Sequence, residues 1–195
     1  MSGGLGVAGT TVIQAGSPYA YRIVGPSVVA DASGGLVQVN ANVKFTTNIP
    51  LTHYMVINRI LYFLTWTKLP VADGTNNVGN WSVGMQITEA QSRTIANFAD
   101  PTFVDEWTIT VAPQKFLTSG ISNPALLPGL LDRFLVNQWA SVAQTLNAIA
   151  IVQPNNSTSN GPNLTISPVL EFFLLPLSEN IRAYLTTRLQ ITGQA

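Results

Sequence analysis

The chain has 195 residues, of which 46% are apolar and only 9% charged, against about 25% charged in an average soluble domain. Nine basic and nine acidic side chains cancel, and no run of Lys or Arg occurs, which argues against the basic stripe of a sequence-specific nucleic-acid binder. There is no cysteine, which excludes disulfides, cysteine-type zinc sites and thiol catalysis.

The first residues lack the positive start and apolar core of a secretory signal peptide. No stretch reaches the roughly 18 continuous apolar residues of a membrane span. The surface must be covered by uncharged Thr, Ser, Asn, Gln and Gly, and zero net charge favours association. An uncharged exterior on a chain without an export signal fits a protein made inside a cell and exposed outside it. Few carboxylates also suit an acidic medium, because fewer stabilising charges are lost as pH falls.

In chain order, residues 1–17 are uncharged and rich in Gly, Ser, Thr and Ala, and read as a flexible N-terminal arm. The remainder, 18–195, reads as one jelly-roll domain. Tyr19–Val24 is a short strand stopped by Gly25-Pro26, and Ser27–Ala30 extends it after a bend. Between Gly35 and Thr47, Val37, Val39, Ala41, Val43 and Phe45 share one face while Leu36, Gln38, Asn40, Asn42, Lys44 and Thr46 share the other. This is the period of a half-buried strand. Tyr54–Thr67 is apolar on both faces, as in a strand buried between layers. A surface loop follows over 68–79. Asn80–Thr88 alternates again, with Trp81, Val83, Met85 and Ile87 inward and Ser82, Gly84, Gln86 and Thr88 outward.

Residues 89–99 read as a short helix with a Thr88/Gln91 capping box, ended by Asp100-Pro101. Phe103–Val111 is a strand, and 112–129 is a long connection with three prolines. Over 130–148, Leu131, Phe134, Leu135, Val142 and Leu146, with Ile149 just beyond, recur at helical spacing, which predicts a helix. Residues 153–163 form a polar loop, and Leu164–Leu175 is strand-like. Ile181–Thr192 fits either period, and its β-branched residues favour a strand. The sum is an all-β sandwich or jelly roll of about eight strands, with one helix in a late crossover.

No residue set points to catalysis. The one histidine, His53, has no nucleophile elbow to serve. One histidine without cysteine or an acidic loop makes no metal site. Asp105 and Glu106 are adjacent, so in a strand they point to opposite faces. Gly3-Gly4-Leu5-Gly6 lacks the lysine and setting of a phosphate loop. No catalytic, metal or cofactor site is therefore expected. Arg59, inside an apolar strand, needs a carboxylate or carbonyl partner. Tyr19, Tyr21, Tyr54, Tyr62 and the four Trp serve core packing by default. Sequons at Asn80, Asn156 and Asn163 are candidate glycosylation sites, with Asn155-Asn-Ser overlapping the second.

The strands 35–47, 54–67, 80–88, 103–111, 164–175 and 181–192, with the helix 130–148, resemble a viral single jelly-roll capsid protein. The composition is similar to that of capsid proteins of icosahedral viruses of hot acidic springs, some of which enclose a lipid membrane. The resemblance implies upright jelly rolls packed into homo-oligomeric capsomers of an archaeal virion, beside other capsid proteins and, in some, an underlying lipid membrane. It implies no enzymatic activity. The candidate inter-subunit arm includes Thr10, Thr11, Val12, Ile13 and Gln14, and Gly193–Ala195 is a further contact candidate. The rival readings are an extracellular filament subunit that donates the strand Thr10–Gln14 to its neighbour, and a carbohydrate-binding sandwich or hydrolase on the same fold.

Overall fold

The computed structural model describes residues 5–7, 10–14, 20–32, 39–68, 80–89, 102–111, 129–155 and 161–191. They form eleven strands and a helix: β1 (Leu5–Val7), β2 (Thr10–Gln14), β3 (Ala20–Val24), β4 (Val28–Asp31), β5 (Val39–Thr46), β6 (His53–Lys68), β7 (Asn80–Thr88), β8 (Phe103–Val111), β9 (Leu130–Ser141), β10 (Thr145–Asn155), β11 (Asn163–Pro176) and α1 (Glu179–Ile191). One sheet runs β1-β2-β3-β11-β6-β9, with β4 also paired to β11, and the other runs β5-β10-β7-β8.

β3 and β4 lie on the same side of β11, against Val169–Phe173 and Asn163–Ile166 respectively. They are one strand broken at Gly25-Pro26. Pro168 of β11 faces this break. A proline in a central strand removes a ladder donor. Here the strand opposite is itself interrupted, and the Gly25 amide donates to the Pro168 carbonyl at 2.8 Å. A Cβ on Gly25 would sit 2.9 Å from the Pro168 ring, so glycine is what admits the proline.

With β3/β4 counted once, the sandwich has eight strands. The first, eighth, third and sixth form one sheet, and the second, seventh, fourth and fifth form the other. All pairs are antiparallel. This is the jelly roll, two interlocked Greek keys. The β1–β2 hairpin lies outside it, added to β3. The described part of the N-terminal segment is thus paired within its own chain.

The core lies between the sheets. Ile60, Tyr62 and Leu64 of β6 meet Trp81, Val83, Met85 and Ile87 of β7 and Ala148, Ala150 and Val152 of β10. The strands expected at 80–88 and 103–111 have those bounds, and β6 is buried on its inner face, whereas on the outer side Val56 and Leu61 are covered but Phe63 is exposed. The outward polar row of β7 departs from expectation: Ser82, Gln86 and Thr88 are buried too. Gln86 satisfies its amide by donating to Glu106 at 3.0 Å. At Gly84 a Cβ would meet the Trp107 carbonyl at 2.3 Å, so β7 approaches β8 more closely than a side chain allows.

Two expectations are corrected. Residues 130–148 are not a helix in a crossover but β9, the turn 142–144 and the start of β10. The helical spacing arose from three strand features. Arg133 occupies an inward position between Leu131 and Leu135. A bulge interrupts the alternation, since Ile57 pairs with Trp139 but Arg59 with Phe134, setting four residues of β9 opposite Asn58 alone. Leu146 and Ile149 then belong to opposite faces of β10. Phe134 accordingly faces solvent at 69% exposure.

The second correction is in the segment 181–192, whose described residues, 181–191, are helical in α1 rather than a strand. Ser178 caps it: the Ile181 amide approaches the Ser178 hydroxyl at 3.4 Å and the Arg182 amide donates to the Ser178 carbonyl at 2.9 Å. Glu179 in the first turn and Arg188 in the last complement the helix dipole. Cap and charge placement outweigh the β preference of Thr186 and Thr187. The segment 89–99 lies outside the described residues except for Glu89.

Candidate functional site

The outer face of the β1–β9 sheet carries one line of four charged side chains. Arg22 of β3, Glu171 of β11, Arg59 of β6 and Asp132 of β9 alternate in sign across four adjacent strands. Arg22 pairs with Glu171, and Arg59 donates to Glu171 at 3.1 Å. Arg59 also forks onto Asp132 through Nε at 2.7 Å and Nη2 at 2.5 Å. The predicted partner of Arg59 thus exists twice over, and the guanidinium faces outward rather than into the core. It lies 4.8 Å from the Phe134 ring. The bond to Asp132 raises the Arg59 pKa and, reciprocally, Arg59 holds Asp132 below its ordinary 3.8. This pairing is present above that value and lost as pH falls through the lowered one.

Beside this ladder lies an apolar row. Leu130 is 49% exposed, Phe134 69% and Val136 98%, all on β9, and Phe63 of β6, paired directly with Leu130, is 44% exposed. Among the described residues β9 is an edge strand. Exposed apolar edge strands are what natural proteins avoid unless a partner covers them.

Two polar clusters hold the frame behind that face. Asp105 of β8 accepts from the Tyr62 hydroxyl at 2.8 Å and from Arg133 at 2.9 Å, tying the two sheets together. Burial, first, and the neighbouring Asp105 push the Tyr62 pKa well above 10, so its hydroxyl stays a donor. Glu106 points the opposite way, as adjacency in a strand requires. Glu89, at the end of β7, accepts from Trp139 at 3.0 Å and from Arg188 of α1 at 2.8 Å. Arg188 also stacks 4.4 Å from the Trp139 ring and donates to the Ala140 carbonyl. α1 is thereby clamped across the end of the sandwich, with Leu185 buried beneath it.

His53 opens β6 and lies 2.9 Å from the Thr52 hydroxyl. It lines a shallow groove of about 190 Å³ with Leu51, Val142, Gln144, Leu177, Arg182 and Thr186. No carboxylate stands among those lining residues to orient it. Among the described residues no group of three metal-ligating side chains gathers, and no helix is long and apolar enough to cross a membrane. Of the tryptophans, Trp81 and Trp107 are buried and Trp66 and Trp139 lean on the core.

Two of the sequons, at Asn80 and Asn163, open described strands. Asn80 opens β7 and is exposed, opposite Asn155 at the end of β10. Asn163 opens β11, half-buried, between Asp31 and Lys68. The Asn155 amide donates to the Ser82 hydroxyl of the first sequon. Asn156 lies outside the described residues. Thr10–Gln14 is β2, paired to β3 through Thr11↔Val24 and Gln14↔Tyr21.

Comparison with known proteins adds little. No family model matches the chain, and no curated protein matches it. Solved structures do, among them a Bacteroides thetaiotaomicron protein provisionally assigned as a glycoside hydrolase. That match has 12% identity and a TM-score of 0.26, covering 88% of this chain and 57% of the other. The chain thus spans little more than half of that protein's length, and a superposition of this quality carries no functional argument.

Proposed function

We propose that the protein is a structural subunit of an icosahedral virion shell and works by self-association. The jelly-roll topology is one that capsid subunits share with lectin domains and cupins, and topology alone does not choose among them. The observation that carries the choice is the exposed apolar row Leu130, Phe134 and Val136 on an edge strand. A surface with so few charges has little else to bring copies together, and such a row is protected only when covered. Other capsid proteins and a lipid layer are partners this reading accommodates.

A carbohydrate-binding sandwich is the second reading, and it shares the topology. It requires aromatic rings presented in a groove, whereas all four tryptophans are buried in the core or packed against it. Sedimentation separates the two. The full chain is expected to associate, and Val136→Asp to remain monomeric with an unchanged melting temperature, since exposed substitutions alter stability by no more than about 0.5 kcal/mol. Wild-type monomer that binds glycans would favour the second reading.

A further inference from the structure

Among the described residues the β1–β9 sheet ends in two edges, β1 and β9. The path between them passes through six strands, and every neighbouring pair is antiparallel. Five reversals leave β1 antiparallel to β9. A second copy, rotated about an axis parallel to the strands, therefore offers its β1 edge to β9 in the sense used throughout the sheet. A sheet with an odd path would have offered a parallel junction, which is slightly less stable per residue.

Length and charge agree with this pairing. The β9 bulge interrupts any ladder along its outer edge, leaving two stretches that run regularly against β6, Leu130–Phe134 and the shorter Trp139–Ser141, whose Ala140 carbonyl Arg188 already occupies. A strand that adds there must be short. β1 has three residues, Leu5–Val7, on a β2 of five. Pairing β9 with itself across a two-fold axis over the same stretch would set the two copies' Asp132 carboxylates side by side, and like charges directly opposite are destabilising. The hairpin brings no such conflict, because the first charged side chain in the sequence is Arg22. The hairpin also lies outside the eight strands of the sandwich.

We infer that copies join head to tail, the β1 edge of one adding to Leu130–Phe134 of the next, so that their sheets close into a ring. Such heterologous contacts form closed rings when the rotation closes and open fibres when it does not. The inference rests on the shell-subunit reading and specifies its capsomer contact.

The absence of cysteine permits a clean test in the full-length chain. Gly6→Cys combined with Asp132→Cys, the centre of β1 against the centre of Leu130–Phe134, is oxidised mildly after assembly, alongside each single variant, with light scattering read in parallel. The double variant is expected to lose its monomer band to a ladder that stops at one ring size, while Asp132→Cys alone stays uncross-linked. Assembly without that ladder overturns this contact and leaves self-association standing. Dimers from Asp132→Cys alone replace it with β9 self-pairing. A ladder that continues into fibres overturns closure. A chain that never associates removes this contact and the shell-subunit reading together.

Discussion

Arg188→Met destabilises the protein by about 3–5 kcal/mol, the range for removing one partner of a buried ion pair. Glu89 is fully buried and Arg188 is 15% exposed, so the carboxylate left behind cannot turn to water. Arg188 also supplies the stacking on Trp139 and the bond to Ala140 that seat α1, and methionine replaces neither. The loss depends on pH with a defined sign. Burial already raises the Glu89 pKa above 4.5, and Arg188 is the largest opposing influence. Without Arg188 the folded-state value climbs further. A carboxyl with a raised folded-state pKa stabilises fully below its unfolded value and loses that contribution as pH rises through the folded one. The variant therefore melts nearest to wild type at about pH 4 and furthest below it at about pH 7. Thermal melts across that interval check this, and a deficit that grew in acid would contradict it.

Asp105→Ala is the second large loss, about 3 kcal/mol. It removes the acceptor of the Tyr62 hydroxyl, which is fully buried. Arg133, 42% exposed, can turn to solvent, so the orphaned hydroxyl carries most of the cost. Adding Tyr62→Phe to Asp105→Ala then restores about 1–2 kcal/mol, because no unsatisfied donor remains. A double-mutant cycle by denaturant unfolding measures this. Additivity to within about 0.5 kcal/mol would show that the two residues do not form one unit.

Both clusters are built from residues far apart in the chain, which is why the sequence betrayed little of them. Glu89 and Arg188 are separated by 99 positions, and Tyr62 and Asp105 by 43. The one visible signal was Arg59, a charge inside an apolar run, and its two carboxylate partners are the centre of the outer-face ladder. With only 18 charged side chains, each charge next to apolar residues was a candidate for such pairing.

The strands were legible where one face is buried without interruption, as in β7 and β8. They were illegible where alternation is broken by function or edge position. β9 carries an inward Arg133, an outward Phe134 and a bulge, and the sum imitates a helix. α1 buries only Leu185 among its described side chains, so its apolar pattern was too thin to decide the period, and the Ser178 cap was the better signal. The exposed apolar residues of β9 could not be distinguished from core residues until the edge was placed. The candidate interface is the part of the molecule that least obeys the pattern of a solvent-facing strand.

Negative-stain electron microscopy of the full-length chain, at neutral and acidic pH, tests the central claim most directly. Ring-shaped capsomers of one size, or closed shells built from them, are the predicted result. A uniform population of monomers at every pH would contradict it.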